Sequence, residues 1–144
     1  MKTVKLSVFF VVCIFFIPRL SHAGDFDGSK PLLFSIKSVI ECSPNGESRL
    51  VTAEEVNLPQ FMIIDFNKKI ITPLTESKGN SNTAIKRMES IDGKLILQGA
   101  EEGIEKIRNV IGWTASISED TGKTVVTVSG DDVAFVVFGA CLPR

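Results

Sequence analysis

The stretch that most constrains the fold is residues 112–141, which reads as three antiparallel strands joined by two tight turns. Over residues 113–118 an apolar residue alternates with a hydroxylated one, the period-two pattern of a sheet with one buried face. Residues 124–128 are β-branched throughout, which favours a strand over a helix. Residues 133–141 carry almost no polar side chain, so both faces of this strand must be covered. The pattern therefore predicts a central strand or a closed barrel.

The first 23 residues have the three regions of a secretory signal peptide. Two lysines precede an apolar run over residues 6–17, and Ser21 and Ala23 are small residues three and one positions before the predicted cut. The apolar run is shorter than the roughly 20 residues that a membrane-spanning helix needs. We therefore expect cleavage after Ala23, one domain over residues 24–144 and no membrane span once the signal is removed. An uncleaved amphipathic anchor is the alternative.

Removal of residues 1–23 changes the chemistry that is open to the chain. The full sequence has 16 basic and 17 acidic residues, and the signal carries three of the basic ones and none of the acidic ones, so the mature net charge is −4. A chain with this negative net charge does not have the excess of basic residues that binding to nucleic acid requires. The only histidine, His22, leaves with the signal, which excludes Ser–His and Cys–His catalysis and removes the commonest zinc ligand. We expect no cofactor and no nucleic-acid partner.

Cys42 and Cys141 remain after the cut, in a chain that is bound for an oxidising compartment where disulfides are the default. Strand alternation places Ile36, Ile40 and Cys42 on one face, and it places Cys141 on the inward face of the last strand. We therefore predict a disulfide between Cys42 and Cys141 that joins the first strand to the last. Such a bridge would stabilise the fold by about 4–5 kcal/mol in the chain-entropy model. Two buried free thiols are the alternative.

The rest of the chain alternates strand patterns with turn formers, and Asp92-Gly93 is its strongest hairpin signal. Thr52-Ala53-Glu54-Glu55 has the form of a capping box, and residues 100–110 have isoleucines at helical spacing, so one or two short helices are expected. The prediction is an all-β fold, an antiparallel meander of about eight strands closed as a small barrel or folded as a sandwich, with residues 24–30 as a loosely held lead. Beyond the C-terminal part, strands are predicted at residues 32–42, 49–51, 60–66, 69–74, 83–90 and 94–98.

Carboxylates are the remaining candidates for catalysis or metal binding. The adjacent pairs fall at predicted turns or helix starts, where acidic residues serve capping and solubility. Asp65 ends an otherwise apolar stripe, and we expect it to accept from the amide of Asn67 or Lys68, with a catalytic carboxylate as the alternative. Residues 25–29 are similar to the start of a calcium loop, but the glycine comes too early and no Glu closes it, which favours a flexible acidic terminus. The adjacent pairs are Glu54/Glu55, Glu101/Glu102 and Asp131/Asp132.

Short motifs are spread over most of the chain after residue 23. They are FDGSKPL at residues 26–32, Cys42, Leu58-Pro59, Asp65, Asp92-Gly93, Leu97-Gln98-Gly99, Gly112-Trp113, Thr121-Gly122 and the closing Phe138-Gly139-Ala140-Cys141. Together they resemble a group of small exported bacterial proteins to which no activity is assigned. The resemblance implies export, a periplasmic address and paired cysteines, and it transfers no functional residue.

These observations favour a periplasmic or secreted, non-enzymatic β protein that binds a small apolar ligand in its barrel or a protein partner at its loops. A pocket of a few hundred Å³ at the barrel mouth would favour the ligand. An interior filled by Phe34, Phe61, Trp113 and Phe135 would exclude it. The alternatives are a carboxylate-dependent hydrolase with two inward acids in one cleft, and a structural or assembly subunit that pairs through an exposed sheet edge. We expect a monomer.

Overall fold

The computed structural model describes residues 24–75, 82–101 and 110–144, which form nine strands. Each predicted strand corresponds to one of them, because the period-two pattern and the turn signals agree along the chain. The strands are β1 Leu32–Cys42, β2 Ser48–Val51, β3 Phe61–Asp65, β4 Ile70–Pro73, β5 Thr83–Ile91, β6 Lys94–Glu101, β7 Ile111–Ser118, β8 Lys123–Ser129 and β9 Ala134–Pro143.

Eight of the strands close into an antiparallel barrel. Strands β3 to β9 follow one another as neighbours, and β1 completes the ring between β3 and β9. The β1–β9 pairing extends from Leu32 opposite Pro143 to Cys42 opposite Ala134. Strand β2 lies outside the ring and pairs with residues 39–42 of β1, beyond the part of β1 that pairs with β3. The predicted antiparallel meander is confirmed, and it is a barrel.

A β-bulge in β1 reverses the face of the strand that is buried. The register against β9 shifts between Ile36 and Ser38. Phe34 and Ile36 are buried before the shift, and Val39 is buried after it. Because one extra residue moves every later side chain to the opposite face, Cys42 lies on the outward face of β1.

The predicted disulfide between Cys42 and Cys141 is not present, and both cysteines are free. Cys42 is opposite Ala134, and Cys141 lies seven positions further along β9, which is about 23 Å at the usual rise of a strand. A disulfide needs Cα atoms within about 7 Å of each other. The prediction is wrong because antiparallel pairing brings the end of β1 to the start of β9, and because the bulge turns Cys42 outward.

The predicted helices are not found in the described ranges. The capping box does form, since Glu55 N donates to Thr52 Oγ1 at 3.2 Å and Thr52 N donates to Glu55 Oε2 at 2.6 Å. The chain then continues as turns up to Pro59, because the proline leaves too few residues to propagate a helix. Of the second predicted helix, Ala100 and Glu101 belong to β6, and residues 102–109 lie outside the described residues.

One end of the barrel is covered by residues 24–30, so the prediction of a loosely held lead is wrong for this segment. Phe26 lies against Gly122, where an added Cβ would come within 2.6 Å of the phenyl ring. Gly28 lies against Leu95, whose side chain is buried. The interior at this end is filled by apolar side chains, among them Leu32, Ile64, Leu95, Leu97 and Ile117.

Gly139 allows the ring of Phe34 to approach the backbone of β9 closely. A Cβ at this position would overlap the Phe34 ring and the Ser35 carbonyl oxygen. We expect Gly139→Ala to lower the free energy of unfolding by about 1–3 kcal/mol, as overpacking does in other cores. Gly112→Ala is the matched control, because its nearest neighbour would be 3.7 Å away. Equal urea midpoints for the two variants would contradict this packing.

The two thiols should differ in reactivity. Cys141 is buried, with 1% of its surface exposed, whereas Cys42 is half-buried on the outer face. We expect a thiol reagent to label Cys42 in the folded protein, and to label both cysteines only after unfolding in urea. Mass spectrometry of the labelled protein would count the adducts. If the cysteines take up label only after chemical reduction, in the folded or the unfolded protein, then they are not free thiols and the structure is contradicted.

Candidate ligand-binding cavity

The other end of the barrel encloses a cavity of about 820 Å³. This volume lies within the range of small-molecule sites, about 300–1,000 Å³. Each of the eight barrel strands contributes inward side chains to the wall. The apolar residues of the strand wall are Phe34, Ile36, Met62, Ile64, Ile71, Ile111, Trp113, Ala115, Val126, Val128, Phe135 and Val137.

Short side chains on neighbouring strands explain why this half of the interior is not filled. Strand β7 contributes Ala115, and β8 and β9 contribute valines such as Val126 and Val137. An eight-stranded barrel is just wide enough for long side chains to fill it, so short ones leave space for a small ligand. Of the aromatic residues that could have filled it, Phe61 points outward with 43% of its surface exposed. Phe34, Trp113 and Phe135 line the cavity without closing it.

The segment between β2 and β3 forms one side of the cavity mouth. It is held by its own backbone, since Leu58 N donates to Ala53 O at 2.8 Å and Asn57 N donates to Glu54 O at 3.1 Å. The Gln60 side-chain amide donates to the Ile36 carbonyl oxygen and fixes the segment to β1. This side of the mouth therefore has a defined shape and a mixed polar and apolar inner surface.

Glu54 and Glu101 are the charged side chains in the described lining, and both are exposed at the mouth. The Glu101 carboxylate accepts from the Thr83 hydroxyl across β5 and β6. The sequence suggested pairs of acids that are adjacent in the chain. The fold instead brings Glu54 from one pair and Glu101 from another pair to the same opening. The alternation of β6 could have shown that Glu101 shares the inward face of Leu97.

The other described acids of the candidate pairs are not part of this lining. Glu55 caps the turn at Thr52, and its pKa is lowered chiefly by the hydrogen bond from the Thr52 amide. Asp131 and Asp132 are exposed in the turn between β8 and β9. Glu102 lies outside the described residues.

Asp65 caps the turn between β3 and β4, as predicted. Its Oδ1 accepts from Lys68 N at 2.9 Å, and this backbone hydrogen bond is the main reason why the pKa of Asp65 is lowered. In residues 25–29 the Asp27 Oδ1 likewise accepts from Ser29 N at 2.8 Å. Within the described ranges, no three or more His, Cys, Asp or Glu side chains are grouped so that they could hold a metal ion.

Trp113 is the single tryptophan of the chain and a central residue of the cavity wall. Only 8% of its surface is exposed, and its ring lies on Gly99, where a Cβ would overlap the indole. The indole Nε1 is buried and has no hydrogen-bond partner among the described residues. The apolar wall thus contains one donor group that the protein leaves unpaired.

Comparison of the chain with protein-family models, with curated proteins and with solved structures finds no match. The resemblance to small exported bacterial proteins therefore stays a prediction. In the part of the chain that the structure describes, no helix is long and apolar enough to cross a membrane. The fold and the site define the class by geometry alone: an eight-stranded antiparallel barrel with an apolar cavity at one end.

The thiol of Cys141 makes stability depend on alkaline pH. Burial raises its pKa from 9.0 to about 11, although the hydrogen bond with Thr124 Oγ1, at 3.3 Å from Sγ, opposes the shift. The unfolded thiol ionises first as the pH rises, so stability that is present below pH 9 should be lost between pH 9 and about 11. Urea unfolding should show this loss in the wild type and a smaller one in Cys141→Ala. Equal losses in the two proteins would contradict the raised pKa.

Proposed function

We propose that this protein is exported and that it binds a small, largely apolar molecule inside its barrel without catalysing a reaction on it. The observation that carries the proposal is the cavity of about 820 Å³ inside the barrel. Protein interiors are close-packed and rarely contain voids much larger than a water molecule. A space of this size, lined mainly by apolar side chains and open at a polar mouth, has the character of a ligand site.

The barrel supports binding because its wall is held on all sides. Hydrogen-bonded neighbours fix each strand, and the mouth segment has its own backbone bonds. A preformed site loses little conformational entropy when a ligand enters. Each Å² of apolar ligand surface that leaves water contributes about 25 cal/mol, so a ligand that fills the cavity needs few polar contacts.

The hydrolase alternative has less support. Its two carboxylates would have to work from the mouth, where Glu54 and Glu101 are both exposed. Glycoside hydrolysis instead places one carboxyl in an environment that keeps it protonated, usually by withdrawing it from water. Of the other described acids in the adjacent pairs, Glu55 caps a turn, and Asp131 and Asp132 are exposed in the turn between β8 and β9. These observations favour binding over catalysis.

The assembly alternative rests on β2, the strand outside the ring. Leu50 in β2 is 75% exposed, and β2 is bonded to another strand on the β1 side only. This strand has four residues, and short edge strands are a common protection against edge-to-edge pairing. The cavity is therefore the stronger basis for a function.

Filling the cavity should weaken binding strongly and leave the fold intact. Ala115 is a buried wall residue, and Ala115→Phe places a phenyl ring in the open space. We expect the affinity for N-phenylnaphthylamine, a neutral dye that fluoresces in apolar surroundings, to fall by about tenfold or more. The dye titration would be made on protein purified without the first 23 residues.

The matched control is Ala140→Phe, which adds the same ring to the outer face of β9. Its dye affinity should stay within about twofold of the wild type, a change of less than 0.5 kcal/mol. Circular dichroism would establish that both variants keep the β fold. Dye binding that is equal in the two variants, or absent from the wild type, would contradict the proposal.

A further inference from the structure

We propose that the ligand is an uncharged molecule with a carbonyl oxygen, and that Trp113 Nε1 donates a hydrogen bond to this oxygen. The inference rests on the proposed function and specifies the ligand class of the same cavity. It depends on the unpaired indole donor and on the charges at the mouth.

The Trp113 indole is a donor that the described part of the protein leaves unused. Buried polar side-chain atoms are nearly always paired, and Trp113 Nε1 is the one that the described residues leave without a partner. The indole belongs to the cavity wall and is held from behind by Gly99. Nε1 is itself buried, so the proposed hydrogen bond requires the ring to rotate toward the cavity that it lines.

Most other polar groups of the lining have partners within the protein. The Thr124 hydroxyl donates to the Gly122 carbonyl oxygen at 2.9 Å. The Thr83 hydroxyl donates to Glu101, and the Gln60 amide donates to the Ile36 carbonyl oxygen. These donors already have acceptors in the protein. The side-chain amide of Asn57 also belongs to the lining, but Asn57 is exposed at the mouth. Among the described residues below the mouth, the indole is therefore the donor that remains for a ligand.

The charged side chains of the described lining are acidic. Glu54 and Glu101 line the mouth, and no basic side chain belongs to the described lining. A carboxylate ligand would lose its hydration inside the barrel without gaining a cation. The acceptor that meets the indole is therefore neutral, and a carbonyl oxygen is a good neutral acceptor that many apolar molecules carry.

Three probes with the same phenylbutyl body test this assignment: butylbenzene, the ketone butyrophenone and the carboxylate phenylbutyrate. Because the chain has one tryptophan, its indole NH gives one resonance in a proton–nitrogen correlation spectrum of the labelled protein. We expect butyrophenone to move this resonance downfield, as a new hydrogen bond does, and butylbenzene to move it much less. Phenylbutyrate should bind about tenfold more weakly than the ketone, or worse.

The variant Trp113→Phe separates hydrogen bonding from packing. It removes the donor and keeps an aromatic ring, so the affinity ratio of ketone to hydrocarbon should fall by roughly two- to tenfold. A merely structural role of Trp113 would weaken both probes alike and leave this ratio unchanged. Phe135→Leu is the control, because it alters the same wall without removing a donor. Should Trp113→Phe fail to fold, the wild-type spectra still decide the question.

Each outcome has a distinct meaning. The hydrogen bond is overturned if Trp113→Phe leaves the affinity ratio of ketone to hydrocarbon unchanged. It is also overturned if the ketone moves the indole resonance no more than the hydrocarbon does. In both cases apolar binding would stand. Phenylbutyrate that binds as tightly as the ketone would overturn the neutral class. Failure of all three probes to bind would contradict the proposed function itself.

Discussion

The pairing of β1 with β9 is the interaction on which the rest of the structure depends. The two strands are the first and last of the described chain, and they pair along almost their whole length, from Leu32 opposite Pro143 to Cys42 opposite Ala134. Without this pairing the meander from β3 to β9 would be an open, twisted sheet with two long edges. With it, the edges of the eight strands meet, and every inward side chain faces a common interior. Closure is also non-local, since it joins strands about a hundred residues apart, which makes its formation slow relative to local hairpins.

The interior that closure creates is divided into two unequal parts. Towards the end covered by residues 24–30, leucine and isoleucine side chains fill it to the density of an ordinary core. Towards the other end, alanine and valine on β7 to β9 leave the cavity, and the segment after β2 gives it a mouth. The filled part supplies the stability, and the open part is available for a ligand. The Trp113 indole is a buried donor without a partner among the described residues, and in our proposal it selects among apolar molecules.

Much of the fold could be predicted from the sequence, because strands and turns are encoded locally. Period-two patterns and residues such as Asp92-Gly93 identify strands and hairpins, and Asp65 was predicted to cap its turn from its position alone. What the sequence did not reveal depends on non-local geometry. The disulfide failed because one bulged residue near Ser38 and the antiparallel order of β1 and β9 together separate Cys42 from Cys141. A pocket in the barrel was one of two possibilities that the sequence left open, and the choice could not be made from the sequence because the cavity is a volume left between eight strands and no single strand carries its signal.

The central claim is that β1 and β9 close a barrel whose interior is partly open and apolar. A crystal structure of the protein under xenon pressure tests both halves of this claim, because xenon occupies apolar cavities that water leaves. The account predicts that Phe34 pairs with Cys141 across the closing strands and that xenon lies between Trp113, Val126 and Phe135. An open sheet in which β1 and β9 are apart, or a closed barrel with its interior filled and free of xenon, would contradict it.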